Sequence, residues 1–174
     1  MSVNEIMNQS KIQIQFNFEI AKGIAMLEYL LKMVGGKYNY MNLLKLAFFA
    51  DRYHIRTYAR LVSEDNYIAT KLGPIPSRLK VILKYYQSYR TSLEIINYDV
   101  YLINPKSIKT YEFSESEIKA MEFAVKNFGK LLKKDIYTLP YLTQAYPPTL
   151  TMKYLKNTNS PIPFRNFLIQ KPLQ

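Results

Sequence analysis

Asn42-Leu43-Leu44-Lys45-Leu46-Ala47-Phe48-Phe49-Ala50-Asp51 is the stretch on which the fold turns. From Leu43 to Ala50 every residue but Lys45 is apolar. A helix that is apolar on nearly every side cannot lie on a surface, because one face would then sit in water. The stretch reads as a central helix packed from several directions, with Asn39 or Asn42 able to cap its start. Past Asp51 the pattern becomes amphipathic: Tyr53, Ile55 and Tyr58 alternate with Arg52, Arg56 and Arg60, and the helix is expected to end near Leu61.

Working outward, Ile20, Ile24, Leu27, Leu31 and Val34 recur at helical spacing and stop at Gly35-Gly36, a helix-ending pair. Before them Ile12, Ile14, Phe16 and Phe18 alternate at period two, as in a short strand or a docked arm. Downstream, Ser63 to Asn66 form a polar turn, and Pro74 and Pro76 forbid a helix through Gly73-Pro74-Ile75-Pro76. Gly73-Pro74 is read as a turn that aims a third helix, opened by Pro76 or Ser77 with the stripe Leu79, Ile82, Leu83 and Tyr86. Residues 93–113 are rich in β-branched and aromatic side chains. A hairpin is expected there, its turn at Asn104-Pro105-Lys106-Ser107 and its second strand carrying Ile108, Tyr111 and Phe113. Ser114 and Glu117 make a capping box for a fourth helix, whose stripe is Ile118, Met121, Ala124, Val125 and Phe128. Its acids come early and its lysines late, which suits the helix dipole.

The expected fold is α+β and mostly α-helical: about four main helices round the central one, with a small β-hairpin. Residues 1–18 form an N-terminal arm and 19–137 the helical domain. Residues 138–174 are a Pro-rich segment and tail, with a short helix fitting between Thr149 and Lys156.

The composition excludes most chemistries. Cysteine is absent, so there are no disulfides, thiol nucleophiles or thiolate metal sites. His54 is the one histidine, and the five glycines match no phosphate-binding spacing. Thirteen carboxylates show no acid–base pairing. No enzyme, cofactor or metal is expected. The opening residues lack a secretory pattern and no apolar run approaches a membrane span, so a cytosolic protein without membrane contact is expected.

With 24 basic and 13 acidic residues the net charge is +11, which favours an acidic partner or weak nucleic-acid binding. A Lys-rich solvated surface accounts for the same number, and no block of like charge stands out. His54 lies one helical turn after Asp51, and a satisfied histidine is favoured over a catalytic pair. Tyr85, Tyr86, Tyr89 and Arg90 interleave aromatics with a cation as base-stacking surfaces do, although Tyr86 also belongs to the third helix's apolar stripe.

The helix from Asn42 to Asp51, followed by Asp65, Tyr67 and Gly73-Pro74, resembles the Panacea domain of SocA-like antitoxins. Leu43 and Leu46 match the family's apolar positions, Lys45 its second lysine, and Phe48, Phe49 and Ala50 its closing aromatic run. Ser114 to Phe128-Gly129 resembles a later segment, so the likeness covers about residues 40–137. It departs near the end of the domain, where Thr143-Gln144 stands in place of a Thr-His and tryptophan is missing altogether. The resemblance implies a helical binding module. It would neutralise a cognate toxin, typically encoded by a neighbouring gene, by direct contact or by delivering it to a protease. Leu43, Lys45, Leu46, Phe48, Phe49, Asp65, Tyr67, Gly73 and Pro74 are then structural motif residues. Interfaces favour tyrosine and arginine anchors. Arg52, Arg56, Tyr58 and Arg60 are therefore the first candidates for the contact surface, with Phe164 and Phe167 of the tail second. A nucleic-acid-binding regulator using the basic surface is the alternative.

Overall fold

The computed structural model describes residues 17–70 and 73–134. Four α-helices and five short strands are found there: α1 (Ile20–Met33), β1 (Lys37–Asn39), α2 (Tyr40–Tyr58), β2 (Tyr67–Thr70), β3 (Gly73–Pro76), α3 (Ser77–Lys84), β4 (Leu93–Ile96), β5 (Asp99–Leu102) and α4 (Glu115–Lys134). The fold is α+β and mostly helical. Its strands form two antiparallel sheets, one ordered β1-β5-β4 and the other the pair β2-β3.

Local chemistry sets the helix ends. α1 stops in a Schellman motif: the Gly36 N–H donates to Leu31 O (2.8 Å), the Gly35 N–H donates to Lys32 O (3.1 Å), and both glycines hold positive φ. Asn39 caps α2, its side chain accepting from the N–H groups of Met41 and Asn42 at 3.0 and 3.3 Å. Ala59, in the left-handed region at φ 58°, ends α2 before Leu61. The capping box of α4 is present: the Ser114 N–H donates to Glu117 Oε2 at 2.8 Å.

Every residue of α2 from Asn42 to Arg52 is buried. The helix lies along α4 and also touches α1, α3, β1 and β3. Its core residues Leu43, Leu44, Leu46, Ala47 and Phe48 meet Met26, Leu27, Leu30 and Leu31 of α1, Leu79, Ile82 and Leu83 of α3, and Ala120, Met121 and Ala124 of α4 in one cluster. Two long-range hydrogen bonds fasten this assembly to the end of α4: Tyr38 Oη donates to Gly129 O (2.8 Å) and Asn42 Nδ2 donates to Leu132 O (2.7 Å).

Several expectations are corrected. The hairpin is shorter and earlier, with its turn at Asn97-Tyr98, both at positive φ (49° and 66°), while residues 105–107 and 110–112 form 3-10 turns. Two adjacent positive φ values are those of a tight two-residue hairpin loop, which matches strand twist. β1, which no sequence pattern announces, adds a third strand by pairing Lys37 with Tyr101 and Asn39 with Asp99. Gly73-Pro74 is strand rather than turn, paired with Ala69 and Thr70 of β2. In α1 Leu27 and Leu31 of the predicted stripe are fully buried, but Ile20 is half exposed and Ile24 partly so, and Gly23, Met26 and Leu30 share the buried face. Tyr86 is only partly buried. Phe18 docks beside Gly23 and under the Arg78 guanidinium, 5.5 Å from its ring centre. Ile12, Ile14 and Phe16, and the Pro-rich segment with its proposed helix, lie outside the described residues.

Candidate partner-binding site

Two of the motif residues, Tyr67 and Asp65, belong to polar hubs beside the core, each built round a buried aspartate. Asp51, fully buried on α2, accepts hydrogen bonds from the Val62 N–H (2.7 Å), the Ser63 N–H (2.8 Å), the Tyr67 hydroxyl (2.6 Å) and the Ser63 hydroxyl. It ties the loop after α2, and the start of β2, to the helix. Burial pushes its carboxyl up to about 6, against the opposing pull of those donors. Asp65 does the same for α3. Pro76 has no capping side chain, and Asp65 accepts instead from the N–H groups of Arg78 and Leu79 (2.9 and 2.8 Å) and from the Ser77 hydroxyl (3.3 Å). Both carboxylates thus answer backbone groups that would otherwise be buried unmet.

Lys45 is also fully buried, and burial lowers its ammonium to about 8. Its Nζ lies 3.3 Å from where a Cβ on Gly73 would stand, and Gly73 holds φ +97°. The residue that interrupts the apolar run is therefore packed against the first residue of β3, whose positive φ disfavours a side chain. Leu43, Leu46, Phe48, Phe49, Tyr67 and Pro74 are all buried.

His54 does not pair with Asp51. Its Nδ1 lies 2.7 Å from Arg60 O, which can only accept, so Nδ1 carries the proton and Nε2 accepts from the Ser116 hydroxyl at 3.0 Å. Burial holds the ring below its ordinary value, in the neutral form this arrangement uses. Beside it, Glu117 receives the Lys22 ammonium (2.7 Å) and the Arg60 guanidinium (2.9 Å), and Arg60 also donates to the Ser114 hydroxyl (3.1 Å). Arg60, a sequence candidate for partner contact, joins the loop after α2 to the start of α4. Tyr58 is 43% exposed, with its ring 4.8 Å from that of His54.

The other two arginines come together. Arg52 and Arg56, one turn apart on α2, line a pocket of about 380 Å³ between α2 and α4. Phe49, Tyr53 and Thr57 of α2 and Phe123 and Phe128 of α4 complete it. Its walls are stacked aromatics: Phe49 lies on Phe128 with ring centres 3.8 Å apart, and Tyr53 lies on Phe123 at 4.3 Å. Phe123 and Phe128 meet edge to face. Arg52 is only 5% exposed, so it belongs to the pocket's interior and not to a solvated helix face, as the amphipathic pattern implies; Arg56 is partly buried.

Phe123 is a site residue that sequence reasoning missed. The signal available was that it stands off the apolar stripe of α4, where an aromatic has no place in the core. Phe164 and Phe167 lie outside the described residues. None of the lining residues is a carboxylate or a histidine, and the pocket sets two permanent planar cations beside aromatic walls. Among the described residues no group of three histidine, aspartate or glutamate side chains is placed to hold a metal, and no helix is long and apolar enough to cross a membrane.

No curated protein and no solved structure matches the chain. The family described as antitoxin SocA-like, Panacea domain, matches residues 43–144, a span from the first leucines of α2 past the end of α4, and the chain belongs to that family.

Proposed function

We propose that the protein is an antitoxin that neutralises a cognate toxin, encoded by a neighbouring gene, through stoichiometric binding in the cytoplasm and without chemistry of its own. The observation that carries this reading is family membership over more than half of the chain. The helical core supports it by supplying a rigid platform, α2 held at both ends, from which side chains can be presented to a partner. Delivery of the bound toxin to a protease is a second route within the same function. It differs in its outcome: the toxin would disappear rather than persist in a complex.

Co-expression tests the proposal. Induction of the neighbouring gene product alone should arrest growth, and the protein should restore it while co-purifying with its partner in a fixed ratio. Arrest that persists while the protein is folded and abundant refutes the antitoxin reading. Rescue with a fall in toxin level, abolished in a protease-deficient strain, selects the adaptor route. A sequence-specific nanomolar complex with duplex DNA would favour a regulator, the reading supported by the charge of +11 and by the basic flank of α2.

A further inference from the structure

We propose that the cleft between residues 20–28 of α1 and residues 88–92 is the docking site for an acidic amphipathic helix of a protein partner. This deepens the antitoxin reading by naming the chemistry of the partner's contact, and it rests on that reading only for the partner's identity. Ile20, Ala21 and Ile24 floor the cleft and Tyr89 lines it, in a volume of about 860 Å³. The two isoleucines have the spacing of a core stripe, yet Ile20 is 50% exposed and Ile24 only partly buried. Arg90 and Lys109 also line the cleft. Both are exposed, and neither makes an ion pair among the described residues. The lining carboxylate, Glu28, is 5% exposed and accepts from the Ser92 N–H at 2.6 Å, so the charge met at the rim is positive.

Charge and shape choose the occupant. An apolar strip with exposed cations beside it is complementary to a helix whose apolar stripe is flanked by acidic side chains. The net charge of +11 speeds encounter with such a partner. About 860 Å³ holds several side chains, and the half-exposed Ile20 leaves the floor open, so the occupant lies across the cleft rather than enclosed in it. A single nucleic-acid strand needs rings in series on which its bases stack. Tyr89 stands here among aliphatic side chains, and Tyr85, its ring centre 5.0 Å from the Lys84 ammonium, does not line the cleft. Phe18, the apolar residue just before α1, is taken up beside Gly23 and under the Arg78 guanidinium and does not line it either.

The test uses the full chain, ¹⁵N-labelled, and a fluorescent peptide with leucines at helical spacing and glutamates between them. Binding is expected, with resonance shifts concentrated in residues 20–28, 88–92 and 109. A peptide of the same composition with the leucine spacing scrambled, and one with glutamine for glutamate, should bind roughly tenfold or more weakly. The same loss is expected of the protein with Ile20→Gln or Arg90→Glu. Both positions are exposed, so neither change should lower the melting temperature. A clear fall with Ile20→Gln would show that the chain covers the floor itself, which overturns the inference. Absence of binding, equal affinity for the scrambled or glutamine peptide, shifts spread over the basic surface, or tighter binding of a single-stranded oligothymidylate at the cleft would each overturn it as well. In the co-expression assay, rescue that survives Ile20→Gln combined with Arg90→Glu unchanged discards the cleft and leaves the antitoxin function standing. Failure of wild type to rescue discards the function, and the peptide measurement then judges the cleft alone.

Discussion

Replacing Asp51 tests whether the polar hub below α2 holds the fold together. Asp51→Ala strands the Val62 and Ser63 N–H groups and the Tyr67 hydroxyl in a site closed to water. Each buried donor left unmet costs about 1–3 kcal/mol, so the loss should be about 4 kcal/mol or more, a large part of a domain's total of roughly 5–15. Asp51→Asn keeps an oxygen for the two backbone donors and asks only the two hydroxyls to turn, so about 1–3 kcal/mol is expected. The carboxyl titrates near 6 in the fold, against 3.8 for the same group on a free chain. Between those values the folded state holds a proton that the unfolded state has lost. The protonated carboxyl's contribution is therefore complete below about pH 4 and disappears as the pH rises through 6. Wild type should thus fall by about 3 kcal/mol relative to Asp51→Asn across that window, and the difference should be flat above it. Urea unfolding of the three proteins between pH 4 and 8 measures all of this. Asp51→Ala within 1 kcal/mol of wild type, or a pH-independent difference from Asp51→Asn, refutes the hub.

Lys45, a polar residue in an apolar run, reads in the sequence as replaceable by alanine at little cost; its full burial against Gly73 predicts a larger one. Lys45→Ala should cost about 2–5 kcal/mol through the cavity left, and Lys45→Met, which fills the volume, much less. Because the folded ammonium titrates near 8 and the free side chain near 10.5, the unfolded state binds more protons between those values. Wild type should gain on Lys45→Met by about 3 kcal/mol as the pH rises across them, and a constant difference in chemical denaturation would place the ammonium in water instead. Tyr98, 79% exposed at φ 66°, occupies a turn position that glycine takes without strain. Tyr98→Gly should raise the unfolding free energy by about 1 kcal/mol, and a loss of stability would show that the ring has a packing role. Binding to random duplex DNA should be no tighter than about 10⁻⁵ M at physiological salt and should fall steeply as salt rises, as measured by fluorescence anisotropy; salt-insensitive binding would contradict a purely ionic origin.

How much of this was legible depends on how far each signal reaches along the chain. The apolar run of α2, the Gly35-Gly36 stop and the Ser114–Glu117 box are decided within a few residues, and each was readable. The hairpin was legible in part, its first strand from residue 93 being readable and its turn not. Asn104-Pro105 has the composition of a turn and does turn the chain, as a 3-10 segment, but the ladder had already closed at Asn97-Tyr98, a pair whose tyrosine does not advertise positive φ. β1 escaped because three residues carry no periodicity; its strand character comes from β5, some sixty positions away in sequence.

The site divides the same way. Arg52 and Arg56 read as the outer face of an amphipathic helix, and within α2 alone that is sound: they follow the polar Asp51 and alternate with tyrosines. What reverses it is α4, whose Phe123 and Phe128 stack on Tyr53 and Phe49 and line one pocket with the two arginines. Arg60 makes the converse case, its charge being taken up by Glu117 fifty-seven residues later. Residues four apart in the chain thus have separate fates, Arg56 in a recess and Arg60 in an internal clamp, because a second helix meets them with different chemistry. A cation's place on a helix says which way it points; only the neighbour it points toward decides whether it lines a recess or clamps one element to another.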